Sequence, residues 1–195
     1  MNICVYGASS NRISESYIKA GELLGKVIAM RGHTVVYGGG AEGMMGAIAR
    51  GSIKNGGKVI GIAPSFFKVD GCLYDKCTEF IYTETMSERK TLLEDMSDAF
   101  ITTPGGPGTY DEFFETFTLK QLDKHRKPIT LFNINGYFDL LNEVMEQAIR
   151  LDFMKEKNRE NYFISADAEE IVKYIENYKP TDVNIADFKN ITTGK

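Results

Sequence analysis

Short apolar runs alternate with longer amphipathic segments along most of the chain, and this alternation is typical of an α/β protein. Seven runs rich in Val, Ile and Phe predict strands, and most are continuously apolar, as strands covered on both faces are. The predicted strands are residues 2–7, 34–37, 58–63, 79–83, 99–103, 128–133 and 161–165. The predicted helices are residues 14–31, 42–55, 87–97, 110–125, 137–151 and 167–178. Strands joined by crossover helices predict a doubly wound parallel sheet with helices on both faces.

The length of 195 residues fits a single domain, which we place at residues 1–178. The last stretch, 179–195, is polar and contains Pro180, so we expect a C-terminal extension that lies outside the domain. In a doubly wound sheet, ligands bind beyond the carboxyl ends of the central strands. The loops that follow the predicted strands are therefore where function is sought.

Composition excludes several classes of protein. The net charge is −4 without a basic cluster, which argues against nucleic acid as a partner. The apolar runs are too short to span a bilayer, and the first ten residues lack a signal-peptide pattern. Cys4, Cys72 and Cys77 form no CxxC pair, which indicates reduced thiols and a cytoplasmic protein. His33 and His125 stand apart, so we expect no structural metal.

Two glycine-rich loops offer backbone N–H groups at helix N-termini, which is the chemistry that binds phosphate. In the first, residues 38–46, Gly38, Gly40 and Gly43 satisfy G-x-G-x-x-G between a strand and a helix. The carboxylate expected about 20 residues later for a dinucleotide is absent, which disfavours NAD. The alternative is a tight turn that only allows close helix packing.

The second loop, residues 104–109, has the sequence PGGPGT and predicts a rigid exposed turn that leads into a helix. Neither loop has the P-loop order G-x-x-x-x-G-K-[ST], so ATP hydrolysis is not expected. Both loops indicate a phosphate on a small ligand.

Glu112 lies one helical turn beyond the second loop and has two interpretations. With Thr109 it can form a capping box, a purely structural role. It can also face bound ligand, where its carboxylate stabilises positive charge on a sugar or orients water. The adjacent Asp111 points about 100° away on the helix and is expected to face solvent.

Arg89 lies among apolar neighbours, with Met86, Leu92 and Leu93 at helical spacing. A buried guanidinium is costly unless it is paired, so we expect a carboxylate or phosphate beside it. The following Lys90 either reaches the same anion or remains a solvated surface charge. Thr85 and Glu88 form a second capping box at the start of this helix.

These residues resemble the signature of a known family. The run MSERK at 86–90 followed by PGGPGTYDE at 104–112 is similar to that of the LOG ("lonely guy") proteins. These are cytokinin riboside 5′-monophosphate phosphoribohydrolases, long mislabelled lysine decarboxylases. The similarity continues in GGGAEGMMG at 38–46, GIAP at 61–64 and KPITLFNINGYFD at 127–139, and so covers most of residues 1–175.

The resemblance implies a Rossmann-like homodimer that hydrolyses the N-glycosidic bond of a nucleoside 5′-monophosphate to free base and ribose 5-phosphate. It implies no metal or redox cofactor, and it makes Arg89 and Glu112 catalytic. The substrate-binding residues that it implies are Gly39, Gly40, Gly43, Met86, Lys90, Gly105, Gly106, Pro107, Gly108, Thr109 and Thr118. The counterpart of an acidic family ligand is open between Asp70 and Asp75.

Departures from the family pattern leave base specificity open. Pro107 stands where an aromatic is common, Ser87 replaces a frequent His and Leu119 a frequent Trp. The main rival is a protein of the same fold that binds or senses nucleotides without turnover. A pyridoxal-phosphate decarboxylase with Lys90 as the Schiff base is a weaker rival, because nothing else in the chain suggests a partner for the pyridine ring.

One predicted helix carries Phe113, Phe114 and Phe117, which is more aromatic surface than one sheet face usually needs. This surplus predicts self-association. The alternative is that all three rings pack on the sheet.

Overall fold

The computed structural model describes residues 1–180 and contains one seven-stranded sheet whose paired strands are all parallel. The strands are β1 Asn2–Tyr6, β2 Thr34–Tyr37, β3 Lys58–Pro64, β4 Glu79–Thr83, β5 Ala99–Thr102, β6 Ile129–Phe132 and β7 Phe163–Ser165. The helices are α1 Glu15–Met30, α2 Gly43–Lys54, α3 Met86–Asp95, α4 Pro107–Gln121, α5 Asp139–Arg150 and α6 Ala168–Asn177. The predicted fold class is therefore confirmed, with each predicted element in place.

Two apolar cores cover the two faces of the sheet, which explains why the strand sequences are continuously apolar. One core contains Leu24 and Ile28 of α1, Ile48 of α2 and Ile171 of α6. The other is built on helices α3, α4 and α5, and its fully buried residues include Phe113. Successive residues of one strand point to opposite faces, so both cores draw on the same strands.

The strand order is β4-β3-β2-β1-β5-β6-β7, so the direction in which the sheet grows reverses between β1 and β5. At such a switch point the loops after neighbouring strands separate to opposite faces and leave a crevice at the carboxyl edge. Both glycine-rich loops lie at this edge, one after β2 and one after β5. The fold thus brings together chain segments whose first residues, 38 and 104, are 66 positions apart.

The largest boundary difference concerns α4, which begins at Pro107 rather than at the predicted residue 110 and ends at Gln121 rather than at 125. Gly106 is the N-cap residue and Pro107 takes the first helical position, where a missing N–H costs nothing. The glycine-rich turn therefore forms the first turn of the helix itself. The expected C-terminal extension at 179–195 lies outside the described residues except for Lys179 and Pro180.

Candidate active site

A cavity of about 330 Å³ opens at the carboxyl edge of the sheet, over β1, β2 and β5. Four connecting loops and the start of α3 contribute to its wall. The lining residues are Gly7, Ala8, Ser9, Gly38, Gly40, Met45, Phe67, Cys72, Leu73, Met86, Arg89, Gly106, Pro107, Gly108, Thr109 and Glu112. Both residues expected to be catalytic are among them.

Arg89 and Glu112 form a buried ion pair in this wall. Arg89 Nη1 donates to Glu112 Oε1 at 2.5 Å, and each residue is only 8% exposed. Arg89 lies in the first turn of α3, which begins where the Thr85 hydroxyl accepts the Glu88 N–H at 3.1 Å. The partner that the apolar surroundings of Arg89 demanded is thus supplied by α4. Because both side chains still line the cavity, the pair is positioned to meet a ligand.

Burial and the Arg89 guanidinium act in opposite directions on the pKa of Glu112. Desolvation raises the pKa of its carboxyl above the usual value, and the neighbouring Arg89 guanidinium opposes this rise. The guanidinium also donates to Oε1, so one of the two carboxylate oxygens has its hydrogen-bond partner inside the wall. The Arg89 guanidinium thus offsets part of the desolvation of the Glu112 carboxylate, in a water-poor wall where charge acts more strongly on a bound ligand than it does in water.

Gly38 makes room for the guanidinium. A Cβ atom at this position would lie 2.2 Å from Arg89 Nη2, far inside van der Waals contact. The first glycine-rich loop therefore does more than approach a ligand, because it also accepts the Arg89 side chain against its backbone. The sequence predicted either phosphate binding or a tight turn for this loop and gave no sign of the contact with Arg89.

The turn at Gly106–Gly108 is open toward the cavity. A Cβ built on Gly106 or Gly108 would meet no atom of the described residues within 4 Å, and both residues line the cavity. The first N–H groups of a helix point outward at its N-terminus and carry partial positive charge. This end of the cavity therefore suits an anionic group such as a phosphate.

The capping-box interpretation of Glu112 is wrong. With the helix N-cap at Gly106, Thr109 lies inside the first turn, and no side chain caps α4. The Glu112 carboxylate instead bonds to Arg89 of another helix. The second predicted capping box is confirmed in part. Thr85 caps α3 as predicted, but Glu88 accepts the N–H of Glu84 at 2.9 Å instead of the N–H of Thr85.

Several residues that the resemblance pointed to lie outside the cavity wall of this single chain. Gly43 is packed against backbone, since a Cβ there would meet Ala8 O at 2.6 Å, and Gly105 is packed against the Thr109 side chain, whose Oγ1 would lie 2.1 Å from an added Cβ. Gly39 is packed against the ring of Phe80. These three glycines shape the loops rather than face the cavity.

Lys90 and Thr118 lie on the outer surface. Lys90 Nζ bonds to Glu115 at 2.7 Å and to Asp111 at 3.2 Å, so it links α3 to α4. Thr118 is exposed on α4. The two acidic candidates, Asp70 and Asp75, line a neighbouring cavity of the β3–β4 connection instead of this one.

Sequence inspection missed two segments of the wall. Gly7, Ala8 and Ser9 follow β1, and Ala8 links both glycine-rich loops: its N–H donates to Pro104 O and its O accepts from Met45 N, each at 3.1 Å. The available signal was the position of β1 beside the switch point, where the loop after a strand reaches the crevice. The β3–β4 connection adds Phe67 and Leu73, for which the sequence held no signal.

Within residues 1–180, no group of three or more His, Cys, Asp or Glu side chains is arranged to hold a metal ion. The same part of the chain contains no helix with the length and apolar character needed to cross a bilayer.

A family profile described as "Possible lysine decarboxylase" matches residues 45–175, which is more than half of the chain. The chain is 35% identical over 178 residues to the probable cytokinin riboside 5′-monophosphate phosphoribohydrolase LOGL9 of Oryza sativa subsp. japonica, covering 91% of this chain and 78% of that protein. This chain belongs to the LOG family. The resemblance drawn from the sequence motifs is thereby confirmed.

Other LOG proteins match over similar lengths. The cytokinin riboside 5′-monophosphate phosphoribohydrolase LOG5 of Arabidopsis thaliana is 34% identical over 180 residues, which cover 92% of this chain and 79% of that protein. LOG3 of the same plant is 35% identical over 184 residues, which cover 94% of this chain and 86% of that protein. The shared region therefore includes both glycine-rich loops and the Arg89–Glu112 pair.

Among solved structures, this LOG chain resembles proteins that are described by a different role. A molybdenum cofactor binding protein from the phototrophic bacterium Rippkaea orientalis gives a TM-score of 0.69 at 25% identity, covering 90% of this chain and 94% of that one. The Moco carrier protein from Chlamydomonas reinhardtii gives 0.68 at 23% identity, covering 90% and 94%, and shows the shared fold alone.

Proposed function

We propose that this protein hydrolyses the N-glycosidic bond of a nucleoside 5′-monophosphate, of the AMP or cytokinin riboside monophosphate type, and releases free base and ribose 5-phosphate. The observation that supports this most is the Arg89–Glu112 pair in a cavity that also contains an open helix N-terminus. The names of the LOG relatives describe the same class of reaction.

The reaction breaks the bond between C1′ of the ribose and a ring nitrogen of the base, and water supplies the hydroxyl to C1′ and the proton to the base. Positive charge develops on the sugar as in glycoside hydrolysis. The Glu112 carboxylate would stabilise that charge or accept the proton of the attacking water. Arg89 would hold the carboxylate oxygens in place, an electrostatic and positioning role.

The turn at Gly106–Thr109 would bind the 5′-phosphate at the N-terminus of α4. Glu112 lies between one and two helical turns further along the same helix, so a phosphate at the turn sets where the ribose meets the carboxylate. Binding energy from this remote group orients the reacting centre, which favours a nucleotide over the free nucleoside. Gly39, Gly40, Gly43 and Gly105 would keep the surrounding loops in shape for this contact.

The first prediction concerns Glu112→Gln. Glutamine keeps the size of the side chain but cannot carry charge or accept a proton as a base, so we expect AMP hydrolysis to fall by about 10²–10⁴-fold. The measurement is chromatography of free base from a panel of nucleoside monophosphates, without added metal. Asp111→Asn, the adjacent exposed carboxylate, is the matched control and should remain active. Unchanged hydrolysis by a folded Glu112→Gln protein would contradict the catalytic assignment.

A second candidate is a carrier that binds a small ligand in the same cavity without turnover. The similarity to the molybdenum cofactor binding protein of Rippkaea orientalis favours it. The same panel separates the two: a carrier binds the nucleotide with equal affinity before and after long incubation and releases no base. Turnover of any nucleoside monophosphate by wild-type protein, lost in Glu112→Gln, excludes it.

We further propose that the protein is a homodimer that uses the outer face of α4. Of the three phenylalanines on this helix, Phe113 and Phe117 are buried in the core, while Phe114 remains 39% exposed. Asp111, Glu115 and Thr118 are exposed on the same helical face. An exposed ring among polar groups on one helix face is the composition of a modest interface.

A further inference from the structure

The connection between β3 and β4 supplies an apolar wall at one end of the cavity. Phe67 and Leu73 come from this connection, and Met45 and Met86 line the same cavity. Phe67 and Met86 are large apolar residues that remain 38% and 41% exposed. Each of these two residues thus keeps more than a third of its surface open to solvent beside the cavity that it lines.

The order of the loops places this wall opposite the phosphate-binding turn. The strands run β3-β2-β1-β5, so the loop after β3 and the loop after β5 are three strand spacings apart. At about 4.8 Å per spacing this separation is about 14 Å. Arg89 lies between them, against Gly38 of the loop after β2. A nucleotide with its phosphate at Gly106–Gly108 and its ribose at the Arg89–Glu112 pair would extend its base toward Phe67.

We propose that Phe67 stacks on the base of the substrate and provides most of the affinity for it. This inference rests on the proposed function and assigns a further binding residue to that site. Aromatic rings bind any heterocycle through its face, and thioethers make favourable contacts with ring edges, as Met45 and Met86 are placed to do.

The chemistry at this end also defines the class of base. The side chains of Phe67, Leu73, Met45 and Met86 offer no N–H or O–H donor, and the thiol of Cys72 is a weak one. When a base is bound by stacking, its affinity increases with the area of its ring and depends little on the hydrogen-bonding groups at its edge. The site therefore favours a purine over a pyrimidine and tolerates changes at the exocyclic group of the purine.

The neighbouring Phe66 gives a matched control. It has the same side chain, precedes Phe67 in the short helical turn Ser65–Phe67 and is 60% exposed, but it is outside the cavity wall. Phe67→Leu removes the aromatic face and Phe67→Tyr keeps it. Since both phenylalanines are substantially exposed, none of these substitutions disturbs the core.

The experiment measures the dissociation constants of AMP and of ribose 5-phosphate by calorimetry in a Glu112→Gln background, which prevents turnover. We expect Phe67→Leu to weaken AMP binding about tenfold, because stacking contributes that order of affinity. Binding of ribose 5-phosphate, which has no base, should be unchanged. Phe67→Tyr should retain AMP binding. The rings of Phe66 and Phe67 are in contact, with centroids 4.7 Å apart, so Phe66→Leu should weaken AMP binding far less than Phe67→Leu and leave ribose 5-phosphate binding unchanged.

Other results overturn the proposal. Equal weakening of AMP and ribose 5-phosphate by Phe67→Leu would show a general effect on the loop, and an equal effect of Phe66→Leu would show the same. Absence of AMP binding to the Glu112→Gln protein with Phe67 intact would also overturn it. If wild-type protein hydrolyses no nucleotide while AMP binding still depends on Phe67, the proposed hydrolase is wrong and the base-stacking assignment stands.

Discussion

At the scale of single residues, the site depends on one contact between a backbone and a guanidinium. Arg89 Nη2 occupies the space that a side chain at position 38 would fill. The guanidinium in turn fixes the Glu112 carboxylate, whose raised pKa reflects how little water remains around it. Gly38 therefore acts on the reacting centre through Arg89, and is a positioning residue rather than a catalytic one.

We predict that Gly38→Ala lowers kcat for AMP by about 10²-fold, the order expected when a catalytic group moves by about 1 Å. The added methyl group must push the end of the Arg89 side chain away, which a flexible side chain can do without unfolding the protein. The measurement is steady-state kinetics together with the melting temperature. A variant with normal kcat and an unchanged melting temperature would show that Arg89 has no need of this space.

At the scale of elements, α4 joins the candidate site to the interior. Its first turn lines the cavity, Glu112 follows, and Thr116 is buried one turn later. The Thr116 hydroxyl donates to Glu112 O at 2.9 Å and pairs with Tyr6 Oη at 3.2 Å. His125, in the connection to β6, bonds through Nε2 to Thr116 O at 2.9 Å. Buried polar groups thus tie this helix to β1 and to its own exit loop.

His125 makes stability depend on pH. Its Nδ1 accepts the Lys127 N–H, so the neutral ring donates from Nε2, and burial lowers the pKa of His125 to about 4. The unfolded chain holds this proton more tightly, with a pKa of about 6.5. The contribution of the neutral ring is therefore present above about pH 6.5 and is lost as the pH falls toward 4.

We predict that His125→Gln flattens this dependence. The glutamine amide can still donate to Thr116 O but does not titrate. Between pH 6.5 and 4, the free energy of unfolding of the wild type should fall relative to the variant by up to about 1.4 kcal/mol per pH unit. Urea denaturation at a series of pH values measures the difference. Parallel curves for the two proteins would mean that His125 does not titrate as its burial indicates.

At the scale of the whole molecule, the outer face of α4 has the one phenylalanine of this helix that the core leaves exposed. The neighbouring ion pairs of Lys90 with Asp111 and Glu115 fix the polar groups around it. Lys90 and Thr118, which one chain keeps outside its own cavity, belong to this face as well. A second copy docked here would bury all of them at once.

We predict a dimer in solution that Phe114→Asp converts to monomer, because a buried carboxylate without a partner costs several kcal/mol. Light scattering after size-exclusion chromatography measures the mass. Phe153→Asp is the control, since Phe153 is 84% exposed in a different region, after α5. A monomeric wild type would refute the dimer. If Phe153→Asp dissociates the dimer and Phe114→Asp does not, the interface lies at the end of α5 instead of on α4.

The sequence by itself determined most properties that depend on neighbours along the chain, with the start of α4 and its capping box as the exceptions. Continuous apolar runs defined the strands, helical spacing defined the helices, and an arginine among apolar neighbours required a buried anion. The open turn at Gly106–Gly108 follows from glycine and proline at fixed positions, as does the Thr85 cap.

The tertiary structure decided which distant groups meet, because parallel strands bring together loops that are far apart in sequence. It paired the Glu112 carboxylate with Arg89 of another helix instead of with the N-terminus of its own helix. It also placed Gly38 against the guanidinium and brought Phe67 to the cavity. It also turned Lys90 and Thr118 outward. Local sequence patterns do not predict such contacts, because these depend on the strand order and on the depth at which each helix packs.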